Sequence, residues 1–544
     1  MKRLIKNILI KSNLALGLAI SVGFGCDGFL DPEPQTEELT KDIVFGDILQ
    51  AEKVLNNVYS FMTSGLSEGA YYYAMLSSVT DESVNSFNWA GSWSVTNGAW
   101  TPVNQFDNRW NSRYQAIRRA NLFLENIDVT PGNEPLKTRM KAEARYLRAF
   151  YYFELVQRYG GVPLVTELLS LDGDLLLPRN TMEECINFIV SECDAAADVL
   201  PIAYGSGDLG RVTKGTAMAL KSRVLLLYAS PLHNPSNEQG RWQAAANAAK
   251  AVIDMGVYEL YPDYQKLFYT PFNKEVIFAR ENYGNTFFDN WNRPSGNIRG
   301  GWGGTNPTVN FVESYDMENG LAIDDPASGY DEGKPFDNRD PRLYQTVVTP
   351  GSTWFGDSYE PWIGGKDGRN PPAGVGNAGD GTWTGMNLKK FLQENFQNNT
   401  RTWIIFRLGE MYLNHAEALN EAQGPVPAVY DALDMLRSRP TVGLPPLART
   451  LSKEQMRERI RKERQVELAF EEHRWFDVKR WQIGEQVLDG PAYGYRITRN
   501  GAGDLAYEKF VFQQRRYVTP TFDLYPIPQS EININKNLEQ NPGW

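Results

Sequence analysis

Apolar residues recur at the 3.6-residue period of an α-helix over long stretches of this chain, and this period constrains the fold more than any other feature. The stretch that begins at Leu136 shows it most clearly, because its apolar residues form one wide face until Gly160, Gly161 and Pro163 end it. Such a face must pack against another element. We predict a mainly α-helical fold with little β structure and with helices at residues 48–63, 111–127, 136–158, 181–199, 213–230, 241–255, 406–422, 426–438 and 452–488.

Alanines recur on the faces of consecutive predicted helices. Segment 213–230 pairs in this way with segment 241–255, and segment 406–422 pairs with segment 426–438. Small side chains at these spacings let two helices approach closely, as they do in tetratricopeptide-like hairpins. We therefore predict a scaffold of such hairpins, with these alanines at the helix contacts: Ala217, Ala219, Ala246, Ala249, Ala416, Ala418 and Ala432.

The helical period disappears between residues 283 and 400. This stretch is rich in Gly, Asn, Pro, Asp and Trp, and long irregular segments of this kind usually carry function. We expect large loops on the helical scaffold. The mature chain divides into an N-terminal region, residues 26–235, and a C-terminal region, residues 236–544, which contains the loop-rich insert and forms one compact unit with the first region.

The first residues have the pattern of an export signal. Lys2, Arg3 and Lys6 precede an apolar run that leads to Cys26, with small residues at two of the three positions before the cysteine. We predict that residues 1–25 are a lipoprotein signal peptide and that Cys26 carries the lipid anchor. The alternative is a secreted soluble protein with a spare thiol at Cys26. Any membrane attachment is expected at this end, because no later segment offers about 20 uninterrupted apolar residues.

The other two cysteines, Cys185 and Cys193, lie in one predicted helix. Eight helical residues span roughly 12 Å, at about 1.5 Å per residue. A disulfide needs Cα atoms within about 7 Å. We therefore expect two buried free thiols.

Charge and motif content argue against several functions. The chain has 55 basic and 66 acidic residues, a net charge of −11. This negative charge disfavours binding to the phosphate backbone of a nucleic acid. The three histidines, His233, His415 and His473, do not form a zinc-binding pair on one helix. Carboxylate pairs are plentiful but are typical of solvated faces and salt bridges. We predict no catalytic residue, no metal and no cofactor, with a glycoside hydrolase as a distant alternative.

Several blocks of sequence resemble the SusD/RagB family of Bacteroidota outer-membrane nutrient-binding proteins, and their order matches along nearly the whole mature chain. They are CDGFLD at residues 26–31, AEARYLRAFYYFELVQRYGGVPLV at 142–165, RKERQVELAFEEHRWFDVKRW at 461–481, and the final stretch 524–544 with LYPIP, SEININ and QNPGW.

This resemblance implies a SusD-like, mainly helical fold and a lipid anchor at Cys26. It also implies a position on the extracellular face of the outer membrane, where such proteins act as the lid of a SusC-like TonB-dependent transporter. We interpret the blocks that carry the resemblance as parts of the scaffold. We expect a charge network between helices from these residues: Arg464, Glu467, Glu471, Arg474 and Trp475.

Tryptophans lie among Asn, Asp and Arg in two loop-like stretches, residues 81–100 and 283–306. A protein that holds sugars without chemistry needs exposed flat rings for their C–H faces and polar groups for their hydroxyls. We predict these ligand-binding residues: Trp89, Trp93, Trp291, Trp302, Asn88, Asp81, Asn292 and Arg293. The alternative is that each ring plugs its own loop onto the scaffold. We assign Trp110 to the core, and Trp354, Trp362 and Trp383 form a third group that could extend the surface.

The predicted function is therefore capture of an oligosaccharide or polysaccharide at the cell surface, without catalysis, for a SusC-like transporter. Two alternatives use the same scaffold. One is a peptide-binding, RagB-like importer subunit, and the other is a lid with no ligand affinity of its own. The tryptophan-rich loops favour sugar, because a peptide site would favour polar groups that match a backbone.

Overall fold

The computed structural model describes residues 41–544 except 63, 67–73, 171, 283–286, 295–300, 355, 370–380 and 394–400. The predicted signal peptide, residues 1–25, and the predicted anchor Cys26 lie outside the described residues. Most of the described regular structure is helical, as predicted. The helices are α1 Lys41–Phe45, α2 Ile48–Ser60, α3 Gly91–Thr96, α4 Trp110–Asn126, α5 Glu134–Tyr159, α6 Met182–Ala197, α7 Lys214–Ala229, α8 Gln239–Ile253, α9 Phe287–Asn292, α10 Val309–Val312, α11 Pro341–Thr346, α12 Leu408–Gln423, α13 Pro427–Arg437, α14 Lys453–Glu467, α15 His473–Arg480, α16 Gly484–Val487 and α17 Gln529–Ile534.

The long helices pack mostly on helices that are near them in sequence. Helix α4 packs on α5, α5 on α6, α6 on α7 and α7 on α8, and then α8 packs on α12, which contacts both α13 and α14. The predicted alanines lie at these contacts, since Ala217, Ala219 and Ala249 are fully buried and Ala246 nearly so. This arrangement is the helical-hairpin scaffold that the sequence predicts.

The predicted helix at residues 452–488 is wrong as one continuous element. It is divided into α14, α15 and the short α16. Two residues between α14 and α15, Phe470 and Glu472, have φ values of 61° and 64°, in the left-handed region that no α-helix can pass through. The chain therefore turns at this point, and α15 begins as a separate helix at His473.

A network of buried ion pairs joins α14 to distant parts of the chain. Glu467 accepts hydrogen bonds from Arg407 at 2.8 Å, from Arg439 at 3.0 Å and from Arg342 at 3.0 Å. Glu471 accepts from Arg407 as well, at 2.8 Å. These side chains are almost entirely shielded from solvent. Glu467 and Glu471 belong to the charge network that the sequence predicts, but the arginines that pair with them lie outside the predicted set. Of the other predicted members, Arg464 pairs with Asp477 and Arg474 with Asp81.

The strands are short and pair in twos. They are β1 Ser83–Asn85, β2 Val276–Asn282, β3 Thr305–Pro307, β4 Val347–Val348, β5 Thr353–Trp354, β6 Asp357–Ser358, β7 Asn387–Leu388, β8 Arg401–Arg407, β9 Gly490–Arg499 and β10 Leu505–Arg515. The antiparallel pairs are β1 with β3, β2 with β8, β4 with β7, β5 with β6, and β9 with β10. The long β9–β10 hairpin is not predicted from the sequence, although Tyr493, Tyr495 and Ile497 alternate before the turn residues Asn500 and Gly501.

Two further expectations can be compared with the structure. Cys185 and Cys193 are buried free thiols, as predicted. Trp110 is a core residue, with its ring packed against Tyr114 and Tyr159. Among the helices of the described residues, none combines the length and the apolar character that a membrane span requires.

Candidate functional site

A short β-ladder brings together the two tryptophan-rich stretches, which lie about 200 residues apart in sequence. Strand β1 pairs antiparallel with β3, with Ser83 opposite Pro307 and Asn85 opposite Thr305. One more backbone bond continues past the ladder, from the Ser86 N–H to the Gly304 carbonyl at 2.9 Å. The chain after β1 and the chain before β3 therefore leave the ladder side by side.

Four rings collect where these two segments meet, and we name them the aromatic shelf: Phe87, Trp89, Trp291 and Trp302. Trp291 and Trp302 stack with their centroids 5.3 Å apart and their planes 27° from parallel. Phe87 joins the two segments, since its ring lies 5.4 Å from Trp89 and 5.6 Å from Trp291. Trp89 is 63% exposed and Trp302 is 39% exposed, so the shelf presents large flat apolar faces to solvent.

Backbone hydrogen bonds hold Trp302 in place. Its N–H donates to the Asn290 carbonyl at 3.0 Å, and the N–H groups of Gly303 and Gly304 donate to the carbonyls of Arg293 and Trp291 at 2.7 and 2.6 Å. Gly303 has a φ of +64°, a value that favours glycine. The loop that carries Trp302 is thus attached to the last turn of α9 independently of any ligand.

Three of the predicted polar site residues lie in the interior and bond within the scaffold. Asp81 accepts two hydrogen bonds from Arg474, at 2.8 and 2.7 Å, and a third from Gln465 at 3.1 Å. The side-chain amide oxygen of Asn292 accepts a bond from the Thr305 hydroxyl at 2.7 Å. Arg293 is 2% exposed. We therefore correct the prediction and leave Asp81, Asn292 and Arg293 out of the proposed ligand-facing surface, because burial separates them from a ligand on the shelf.

The remaining predicted residues lie at or beside the shelf. Asn88 is exposed next to Trp89. Trp93 is half-buried: its indole N–H donates to the Asn85 carbonyl at 2.9 Å, and its ring packs against Trp383 at 5.8 Å. This geometry makes Trp93 a support behind the shelf. Trp383 is half-buried, whereas Trp354 and Trp362 of the same predicted group are buried.

Sequence reasoning missed Phe87, which links the two halves of the shelf. Phe87 lies inside the first tryptophan-rich stretch, between Ser86 and Asn88. An aromatic residue at this position in the stretch is the sequence signal that could have identified it. The shelf rings carry no titratable group, and among the described residues no cluster of His, Cys, Asp and Glu is arranged to hold a metal ion. The shelf can stack flat apolar surfaces but offers no acid, base or nucleophile.

Buried carboxyls lie close beneath the first segment. Burial, together with the neighbouring Asp81 carboxylate, raises the pKa of Glu82 well above its ordinary value, while Arg474 opposes the shift. The direction of this shift favours the protonated form of the Glu82 side chain. Its main chain belongs to the same support, since the Glu82 carbonyl accepts a bond from the Thr308 N–H at 3.0 Å.

Fold and site define a protein with a scaffold of helical hairpins that carries an exposed aromatic shelf on the short helix α9 and on loops. Comparison with known proteins places it more closely. A model of the SusD family matches residues 274–544, and a model described as starch-binding and associating with the outer membrane matches residues 28–226.

Solved structures agree with both matches. A SusD-like protein from Bacteroides fragilis is 30% identical, with a TM-score of 0.80, and the alignment covers 93% of this chain and 99% of the relative. A SusD-like carbohydrate-binding protein from the same species is 27% identical, with a TM-score of 0.78 and coverage of 91% and 100%. Among relatives compared by sequence, SusD-like protein P25 from Formosa agariphila is 24% identical over 79% of this chain and 77% of its own length. This chain belongs to the SusD/RagB family.

Proposed function

We propose that this protein captures an oligosaccharide or polysaccharide at the cell surface and delivers it to a SusC-like TonB-dependent transporter, over which it acts as the extracellular lid. The observation that carries the proposal is the aromatic shelf. Exposed rings as large as Trp89 and Trp302, stacked into one surface on loops, are costly to leave in water unless they serve an interaction.

The shape of the shelf suits sugar. The C–H faces of a pyranose ring are apolar and flat, and they stack on indole rings while the hydroxyls stay solvated or bond to polar side chains. The stacked pair Trp291 and Trp302 gives one such platform, and Trp89 extends it across Phe87. Asn88, exposed beside Trp89, supplies a polar side chain next to this platform.

The relatives support the same class of ligand. One structural relative at 27% identity is described as a SusD-like carbohydrate-binding protein, and the family model that matches residues 28–226 is described as starch-binding. The proposed action is binding alone, since the shelf has no group that could cleave a glycosidic bond. The proposed location is the outer face of the outer membrane, with the lipid anchor on Cys26, as the lipoprotein signal pattern and the description of the family model both favour.

Affinity electrophoresis tests the proposal directly. The chain from residue 27 onward is run through native gels that contain single polysaccharides from plants, fungi and animals, next to gels without polysaccharide. We expect retardation by at least one of them, and we expect Trp302→Ala to remove it.

Phe272→Ala is the matched control, because Phe272 is also an exposed aromatic, at 41%, and does not belong to the shelf. This variant should migrate like the unchanged protein. Absence of retardation by every polysaccharide, or retardation that Trp302→Ala and Trp89→Ala both leave intact, would overturn the proposal. Peptide binding by the isolated protein would then favour a RagB-like importer.

A further inference from the structure

A groove opens on the surface where the described chain begins. It has a volume of about 480 Å³ and lies between α1, α2 and α4. The ring of Phe45 lines it and lies 6.4 Å from the ring of Phe123, a contact that attaches α1 to α4. The other apolar walls are half-buried aliphatic side chains, one from each helix: Val44, Val54 and Leu122. The scaffold therefore holds the walls of this groove in place and leaves them partly open to solvent.

The lining of the groove is also basic. Lys41, Lys53 and Arg119 line it, whereas no Asp or Glu does so among the described residues. Within the described part of the chain, Lys41 and Arg119 form no ion pair, and the ammonium group of Lys53 donates to a neutral side-chain amide at 3.1 Å. The acidic residues nearest in sequence, Asp42 and Asp47, lie outside the lining. Three cationic groups thus border an apolar groove in a protein of net charge −11.

The segment that precedes Lys41 has a composition complementary to the groove. Residues 27–40, which lie outside the described residues, have the sequence DGFLDPEPQTEELT. They include five acidic residues and no basic residue, and they contain a pair of large apolar side chains, Phe29 and Leu30. Opposite charges favour the approach of this segment to the groove, and the apolar pair suits its aliphatic walls.

The segment is long enough to reach the groove. Lys41 itself lines the groove, and ten residues, 31–40, separate it from Leu30. A chain of this length spans up to about 35 Å when it is extended, which is ample for a return to the groove. Because segment and groove belong to one chain, they meet at an effective concentration of about a millimolar. Burial of two large apolar side chains offsets the entropy lost when the segment becomes ordered.

We propose that residues 27–40 of this chain dock in the groove, with the side chains of Phe29 and Leu30 against its apolar walls and the acidic side chains beside its three basic residues. Docking shortens the tether of the protein to the membrane. With the lipid anchor proposed on Cys26, only Asp27 and Gly28 remain between the anchor and the docked segment, so the face formed by α2 and α4 is held towards the lipid surface. The aromatic shelf takes no part, and the inference goes beyond the proposed function.

Disulfide trapping on the chain from residue 27 onward tests the contact. Gly28→Cys leaves the apolar pair and every charge in place, and it is combined with Gln50→Cys or Asn57→Cys, two neutral residues of α2 that line the groove. Asn56→Cys is the matched control, because Asn56 is exposed on the same helix and does not line the groove. Under oxidation by copper phenanthroline, we expect at least one groove pair to cross-link within one molecule at least tenfold faster than the control pair. Peptide mapping by mass spectrometry measures the rates, and the native cysteines are buried.

Further variants identify the contacts that hold the segment. Phe29→Ser/Leu30→Ser, introduced into the trapping variants, should lower the rate to that of the control pair because it removes the apolar side chains. Arg119→Glu should lower the rate about fivefold, as expected for one exposed charge contact. Arg118→Glu makes the same change at the neighbouring exposed residue, which does not line the groove, and should leave the rate unchanged. Thermal melting checks that each variant is folded.

The outcomes distinguish this segment from other occupants of the groove. Equal rates for the groove pairs and the control pair overturn the proposal, and so do rates that neither Phe29→Ser/Leu30→Ser nor Arg119→Glu lowers. Cross-linked dimers on non-reducing gels, formed faster at higher protein concentration, would place the segment in the groove of a second copy and overturn docking within one chain. None of these variants changes the shelf, so failure of this inference leaves the proposed function intact.

Discussion

Trp291 and Trp302 stack with their ring centroids 5.3 Å apart. The first belongs to α9 and the second to the loop that leads into β3, and backbone bonds between these two segments hold the pair together. A ligand therefore meets a surface that is already formed, and it does not have to order the rings as it binds. This relationship makes the shelf testable ring by ring.

Trp302→Ala should weaken binding of the glycan strongly. A sugar ring shields about 100 Å² of an indole face, which at roughly 25 cal/mol per Å² corresponds to about 2 to 3 kcal/mol. That is a loss of roughly 30- to 150-fold in affinity. Isothermal titration calorimetry with the oligosaccharide identified by gel retardation measures it.

Trp93→Ala is the informative comparison, because Trp93 is half-buried and packs on Trp383 behind the shelf. We expect it to lower the melting temperature more than Trp302→Ala does, and to lower affinity less. Equal losses of affinity in both variants would show that Trp93 contacts the ligand directly.

Gly301→Ala should weaken binding without removing any ring. A Cβ atom at residue 301 would lie 2.2 Å from the Arg293 carbonyl oxygen, which accepts the bond from Gly303. The backbone must shift to relieve this clash, and Trp302 moves with it. We expect a loss of affinity up to that of Trp302→Ala, measured by the same titration. Gly205→Ala is the control, since a Cβ atom there meets nothing within 4 Å. Unchanged affinity in Gly301→Ala would mean that the loop does not position the ring.

Glu467→Gln should destabilise the scaffold. Its carboxylate is buried and bonded to Arg407, Arg439 and Arg342, so the amide leaves buried positive charge without full compensation. Breaking a buried pair in this way costs about 3 to 5 kcal/mol of unfolding free energy, which urea denaturation measures.

An exposed ion pair provides the contrast. Asp254→Asn removes a partner of Lys250, and both side chains are more than half exposed. We expect a change in unfolding free energy below about 1 kcal/mol. If Glu467→Gln behaved in the same way, the buried network would contribute little to stability.

The helical scaffold could be predicted from the sequence because its signal is periodic and local. Each long helix shows its apolar face, and one such as α6 also shows its capping residues Thr181 and Glu184. The break within residues 452–488 could not be predicted, because Phe470 and Glu472 adopt left-handed backbone conformations that their side chains do not favour. Tertiary contacts impose them.

The site was predictable in part. Tryptophans in loop-like sequence indicated Trp89, Trp291 and Trp302, although the structure places Trp291 in the short helix α9. The polar neighbours were not predictable, since Asp81 looks equally suited to a sugar hydroxyl and to Arg474, and only the fold brings Arg474 to it. The place of Trp383 in the structure also depends on contacts with residues that are distant in sequence. A periodic sequence pattern does not reveal such contacts.

The stability of the protein should depend on pH through Glu472. This residue lies at the start of α15 with a φ of 64°, and one of its buried carboxylate oxygens has no hydrogen-bond partner within the described part of the chain. Burial, with a smaller contribution from Asp107, raises the pKa of Glu472 to about 7, against an opposing effect from Arg109 and Arg158. The unfolded chain releases this proton near pH 4.5, the ordinary value for the group.

The direction of the effect follows from proton binding. Between about pH 4.5 and pH 7 the folded protein holds a proton that the unfolded chain has lost, so the unfolding free energy decreases as pH rises through this window and is level above it. Glu472→Gln removes the titration. We expect the variant to match the unchanged protein near pH 4.5 and to exceed its unfolding free energy by about 3 kcal/mol at pH 8. Urea denaturation at pH 5, 6, 7 and 8 measures the difference, with Glu458→Gln, an exposed glutamate on α14, as the control. A constant difference between Glu472→Gln and the unchanged protein at all four pH values would show that Glu472 is ionised in the fold.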